Sequence, residues 1–126
     1  IVTGVQTCAL PILTGAVFTQ ILRNGNLIKI EEKHMTIIEE LYNVVLNRQK
    51  NPTEGSYTNY LLNEGTEKIA KKVGEEAVET AIAAAKGSKS EVVGEISDVL
   101  YHILVLMVHM GISLDDIEKE LRGRRS

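Results

Sequence analysis

Tryptophan is absent from this chain, phenylalanine and cysteine each occur once, and proline occurs twice. A lone cysteine, Cys8, excludes both a disulfide framework and a thiolate zinc site, and it agrees with a reducing, cytoplasmic setting. So few large aromatics leave the core to Leu, Ile, Val and Ala, the side chains with which helices pack on helices. Basic charge is also in short supply. Lys and Arg number 14 against 17 Asp and Glu, a formal net charge of -3, and this excludes a nucleic-acid binder that works through a general basic field. The 126 residues suffice for one domain with a modest core.

Charge is missing altogether from Ile1 to Leu22. A membrane span or a signal peptide would be uncharged in this way, but both fit poorly. No basic residue precedes the run, and Gly4, Gln6, Pro11, Gly15 and Gln20 interrupt it. The opening "IVTGVQTCALPI" instead resembles translated sequencing-adapter DNA, so residues 1–13 are set apart as non-native and no membrane association is expected. Residues 14–35 are treated as a leader.

From residue 36 the punctuation is helical. "TIIEELYNVVLNRQK" opens on Thr36 and Glu39 in capping-box spacing and stops before Asn51 and Pro52. Its apolar stripe is Ile37, Leu41, Tyr42, Val44 and Val45. After the loop "NPTEGS", "YTNYLLNEG" reads as a short helix ended by Gly65. "TEKIAKKVGEEAVETAIAAAKG" reads as a long one capped by Thr66 and stopped by Gly87. Ser88 with Glu91 opens a further helix that ends at Gly111, and Ser113 with Asp116 opens a last one. No strand pattern follows residue 36. The expected fold is an all-α helical bundle of about four to five helices over residues 36–122, with 123–126 as a tail.

The segment "GEISDVLYHILVLMVHMG" raises the functional question. At about 100° per residue, Glu91, Glu95, Asp98, His102 and His109 share a strip roughly 60° wide, and nearly all the rest of the circumference is apolar. A surface helix shows a much wider polar face. The preceding helix also carries a narrow strip, with Lys68, Lys72, Glu75, Glu76 and Glu79, and Glu76 lies angularly offset from Glu75 and Glu79. Two helices joined by a short turn pack antiparallel, so the strips can meet, and the excess apolar perimeter predicts completion by homodimerisation.

Carboxylates gathered in this way repel one another unless a cation sits among them. Oxygen-only ligands suit a hard ion, Mg²⁺ with Mn²⁺ as the alternative. The candidate metal set is Glu75, Glu76, Glu79, Glu95 and Asp98. The competing view is a pair of solvated acidic faces supported by Lys68 and Lys72 at helical spacing. For His102 the competing view is a hydrogen-bonded structural histidine.

The ordered set "SYTNYLLNEG", "KIAKKVGEEAVETAIAAAKG" and "EISDVLYHILVLM" resembles the phosphoribosyl-ATP pyrophosphohydrolases of histidine biosynthesis, from about Ile37 to Arg122. Its EExxE and ExxD elements are similar to those of the wider all-α nucleotide pyrophosphohydrolase superfamily. The resemblance implies Mg²⁺-dependent hydrolysis of phosphoribosyl-ATP to phosphoribosyl-AMP and pyrophosphate. It implies acids that hold cations to screen a polyphosphate, and a water oriented or deprotonated by a spare carboxylate. Glu76 and Glu79 are the candidates for that catalytic role. Lys68, Lys71 and Lys72 are the candidates to meet phosphate oxygens, and Tyr101, His102, Ser56, Tyr57 and Asn59 to contact the rest of the substrate. For Ser56, Tyr57 and Asn59, capping and packing are equally good explanations. "LTGAVFTQILRNGNLIKIEE" faintly resembles the end of a phosphoribosyl-AMP cyclohydrolase without its metal motifs. Residues 14–35 are thus either the stump of an upstream domain or spurious sequence ahead of a start at Met35.

Three other functions compete. A (deoxy)nucleoside triphosphate pyrophosphohydrolase would use the same strips with another pocket. A di-iron bundle would want Glu-x-x-His twice, which neither Glu79 nor Glu95 provides. A non-catalytic helical assembly module would tolerate neutralisation of the acids.

Overall fold

The computed structural model describes residues 5–7, 17–23, 26–32 and 35–125. The chain divides into two compact units, residues 1–36 and 37–126. Cys8 and most of residues 1–16 lie outside the described residues.

The first unit holds an antiparallel sheet in the order β1 (Val5–Thr7), β2 (Val17–Arg23) and β3 (Asn26–Glu32). β2 and β3 pair from Val17 opposite Glu32 to Arg23 opposite Asn26. Only Asn24 and Gly25 separate the two strands. An Asn-Gly pair between two β-prone runs is a strong hairpin signal, so this part of the leader has strand structure that the uncharged run does not announce.

In the second unit every regular element among the described residues is helical: α1 (Ile37–Lys50), α2 (Tyr57–Glu64), α3 (Thr66–Lys86), α4 (Lys89–Met110) and α5 (Leu114–Gly123). The all-α expectation for this part of the chain holds. α3 and α4 share the largest interface, and α1 and α2 pack on the half of that hairpin away from its turn. The core is Val45 of α1, Leu61 of α2, Ile69 of α3, and Val105 and Val108 of α4. Leu61, Ile69 and Val105 are fully excluded from solvent. Burial of each such side chain contributes about 1.5–3 kcal/mol.

Local chemistry explains most boundaries. Gly87 and Gly111 end α3 and α4 in the left-handed region, with φ of 73° and 70°. At both, the next residue donates back to a helical carbonyl: Ser88 N–H to Ala83 at 3.3 Å and Ile112 N–H to Met107 at 2.8 Å. A β-carbon would strain both turns. Ser113 and Asp116 form the complete reciprocal capping box of α5. Two other expected caps are not made. Ser88 occupies the cap position of α4 without a side-chain bond, and Glu91 pairs with Lys86 at 3.6 Å instead. Gly65, not Thr66, precedes α3, and the Thr66 hydroxyl lies 3.1 Å from His109 Nε2. A hydroxyl with a partner on the facing helix is lost to its own helix end.

α1 is tied to the far end of α4 by Tyr42, whose hydroxyl donates to the Ile112 carbonyl at 3.0 Å, and by Gln49, which donates to the Val108 carbonyl at 3.4 Å. Of the expected α1 stripe, Val45 is buried, whereas Ile37 and Val44 are exposed within the single chain. α4 is by length and composition able to cross a membrane. Here it is the central packed helix, with His102, Leu104, Val105, Met107 and Val108 buried.

Candidate metal centre

Antiparallel packing of α3 on α4 sets Glu76 and Glu79, one turn apart, against Glu95. Each offers a carboxylate oxygen within 4.8 Å of the other two. Glu76 is buried, Glu95 half-buried and Glu79 exposed, so the cluster opens to solvent on one side. The Glu95 carboxyl is held above the usual carboxylate range, first by burial and then by the charges of Glu79, Glu76 and Asp98. That is the electrostatic signature of acids assembled without enough positive charge. Three hard oxygen donors with a solvent-facing side fit a divalent cation that keeps part of its water shell.

The other two candidate ligands lie differently. Glu75 faces the lysines of its own helix: Lys72 Nζ is 3.0 Å from one of its oxygens and Lys71 Nζ is 3.7 Å from the other. The hydrogen bond from Lys72 accordingly holds its carboxyl below the usual range. Asp98 is exposed and acts on Glu95 through charge; its carboxylate is not among the three that converge. Glu76, angularly offset from Glu75 and Glu79, is the acid turned furthest inward. The α3 face presented to α4 runs between positions 76 and 79 rather than through 75.

Beyond the acids, α4 carries Tyr101 and His102. His102 is buried and its Nδ1 lies 2.8 Å from the Asp98 carbonyl. A carbonyl only accepts, so Nδ1 bears the hydrogen and Nε2 is left to accept from the Tyr57 hydroxyl, 3.4 Å away. Tyr101 shares a 2.7 Å hydrogen bond with Thr58. The Tyr57 ring stacks on Tyr60 and Tyr101, with centroids 6.1 and 6.4 Å away, and Lys68 Nζ sits 5.9 Å from the Tyr60 centroid. Tyr57 and Tyr60 are exposed and, with Asn63 and the loop after α1, line a cleft of about 600 Å³. Tyr60 and Thr58 were not among the sequence candidates. The available signal was spacing, since Tyr60 follows Tyr57 by three residues and shares its helix face.

Ser56 and Asn59 build this wall from inside. The Ser56 hydroxyl accepts from the Asn59 N–H and caps α2. The buried Asn59 amide accepts from the Thr53 N–H at 2.9 Å and donates to the Arg48 carbonyl at 2.7 Å. Both ends of that side chain are therefore occupied by backbone.

The helical unit also has relatives among known proteins. The family model for phosphoribosyl-ATP pyrophosphohydrolase matches residues 38–125. A phosphoribosyl-ATP pyrophosphatase of Clostridium novyi is 50% identical over 92 residues, covering 73% of this chain and 84% of that protein. One from Clostridium acetobutylicum is 53% identical over 88 residues, 70% of this chain and 80% of the relative. The histidine biosynthesis bifunctional protein HisIE of Thermoanaerobacter pseudethanolicus is 53% identical over 90 residues, 71% of this chain but 42% of that longer protein. A helical unit matched nearly end to end, with both acidic segments inside the match, makes this chain a member of the phosphoribosyl-ATP pyrophosphohydrolase family.

Proposed function

We propose that the helical domain, residues 36–122, is a cytoplasmic enzyme that hydrolyses the α–β phosphoanhydride of phosphoribosyl-ATP. The products are phosphoribosyl-AMP and pyrophosphate, in the second step of histidine biosynthesis. Family membership supports the reaction, and the convergence of Glu76, Glu79 and Glu95 carries the mechanism. These three carboxylates would hold Mg²⁺, or Mn²⁺ in its place, with Asp98 adding negative charge beside Glu95. The cation, when bound, screens the polyphosphate and stabilises charge in phosphoryl transfer.

The chain's own groups do the rest. Glu76 and Glu79, one buried and one open to solvent, would orient a water and accept its proton. Lys72, Lys68 and Lys71 lie along α3 on the way from the acids to the aromatic cleft and offer charge to phosphate oxygens. Glu95 and His102 are seven residues apart on α4, about 10 Å along the axis. A nucleotide would span a comparable distance from its α-phosphate to its base. Tyr57, Tyr101 and His102 would meet that end of the substrate, with Ser56 and Asn59 holding the wall in place. Pyrophosphate release from phosphoribosyl-ATP, titrated with Mg²⁺ and compared with a panel of dNTPs, tests the assignment. Activity confined to dNTPs overturns it.

The functional unit we infer is a homodimer. Val78 and Ile82 on α3, and Val93, Ile96 and Leu100 on α4, are exposed in the single chain, and a second copy would cover them. Sedimentation at the mass of one chain overturns this part. Residues 14–35 we read either as the stump of an upstream cyclohydrolase domain or as spurious sequence ahead of a start at Met35.

A further inference from the structure

We propose that Lys72 is a built-in counter-cation of Glu76, displaced when the divalent cation binds and thereby freed for the substrate's phosphates. The proposal rests on the metal role of the acidic cluster. Its grounds are one shared carboxylate and one spare. Lys72 Nζ lies 3.5 Å from Glu76 Oε1 and 3.0 Å from Glu75 Oε2. Glu76 is 8% exposed and is also one of the three acids whose oxygens converge. The most buried of the three acids thus has a positive partner, while no ion pair joins Glu79 or Glu95 to a cation among the described residues. The free state is spared one buried, uncompensated charge.

A divalent cation among Glu76, Glu79 and Glu95 would stand close to the ammonium and repel it. Lys72 has somewhere to go. Glu75 already holds it at the shorter distance, outside the cluster, and a flexible four-carbon stem makes the swing inexpensive. An ammonium pushed off Glu76 keeps one N–H on Glu75 and has two left to offer a polyphosphate. Metal occupancy and phosphate affinity are then linked, each strengthening the other. A lysine that merely props Glu76 in position has the opposite consequence, because removing a prop weakens metal binding.

The sign decides between the two. Mn²⁺ alone is titrated into the wild type, Lys72→Met, Lys72→Arg and Lys71→Met, and free Mn²⁺ is read from its electron paramagnetic resonance signal. Removing the competitor tightens Mn²⁺ binding by ~5-fold, the scale of one ion pair, and Lys72→Arg stays near wild type. Lys71→Met removes the same charge one position away, from a side chain that pairs with Glu75, and changes affinity less than ~2-fold. In turnover at saturating Mg²⁺, Lys72→Met raises KM for phosphoribosyl-ATP. Mn²⁺ binding unchanged or weakened in Lys72→Met, or equally tightened in Lys71→Met, overturns displacement. An unchanged KM overturns the handover to phosphate. A wild type that binds no Mn²⁺ overturns the metal reading itself, and this proposal with it.

Discussion

Replacing Asn59 by alanine tests how the cleft wall is built. The side chain is 8% exposed and joins two backbone groups eleven and six residues upstream, the Arg48 carbonyl and the Thr53 N–H. Each hydrogen bond has a net worth of about 1 kcal/mol, and a partner left dry costs about 1–3 kcal/mol more. Thr53 lies in an exposed loop, so water replaces its lost acceptor. Arg48 is half-buried, and its carbonyl recovers less completely. The expected loss is therefore about 2–3 kcal/mol. Urea unfolding followed by far-ultraviolet circular dichroism, at one fixed protein concentration, reads it as a lower midpoint with an unchanged slope. Amide exchange should accelerate at Thr53 and the neighbouring loop before it does so in α4. A loss below about 0.5 kcal/mol, the level of an ordinary surface substitution, would refute the reasoning and leave Asn59 free to contact substrate.

Glu79→Gln should lower Mg²⁺-dependent pyrophosphate release by roughly 10²-fold or more, the scale of removing a group that stabilises transition-state charge. It should also erase the rise in melting temperature that Mg²⁺ gives the wild type. Asp98→Asn should reduce activity while leaving part of that rise, because its carboxylate stands outside the three that converge; full activity in either variant contradicts the site. Leu61→Ala empties a fully buried position and should cost about 2–5 kcal/mol in equilibrium unfolding. The Asp116 carboxyl is held below its ordinary range by the Ser113 backbone N–H and hydroxyl. Its contribution to α5 is complete above the unfolded-state pKa and disappears as pH falls through the lower folded value. Amide exchange across α5 should therefore quicken in acid, and an Asp116→Ala variant should have lost that dependence.

Much of this molecule was legible from local pattern. Helix starts and stops follow from Gly65, Gly87, Gly111 and the Ser113 capping box, because a glycine in the left-handed region or a serine above a free N–H acts within one turn. Acids three and four residues apart must share a face for the same reason. The cap expected at Thr66 failed where a distant group competed: His109 took the Thr66 hydroxyl. The β2–β3 hairpin was announced by Asn24 and Gly25 but lost among the uncharged residues before it.

What the sequence by itself determined is which residues lie on each helix, in what order, and the family to which that order belongs. Tertiary structure alone decided that Glu76 and not Glu75 joins Glu79 and Glu95, that Lys72 shares two acids, and that Asn59 faces the backbone. The reason is rotational. A helical wheel gives angles between residues of one helix but no absolute angle toward a neighbour. That remaining angle is set when Ile69, Val105 and Leu61 find their places in a common core.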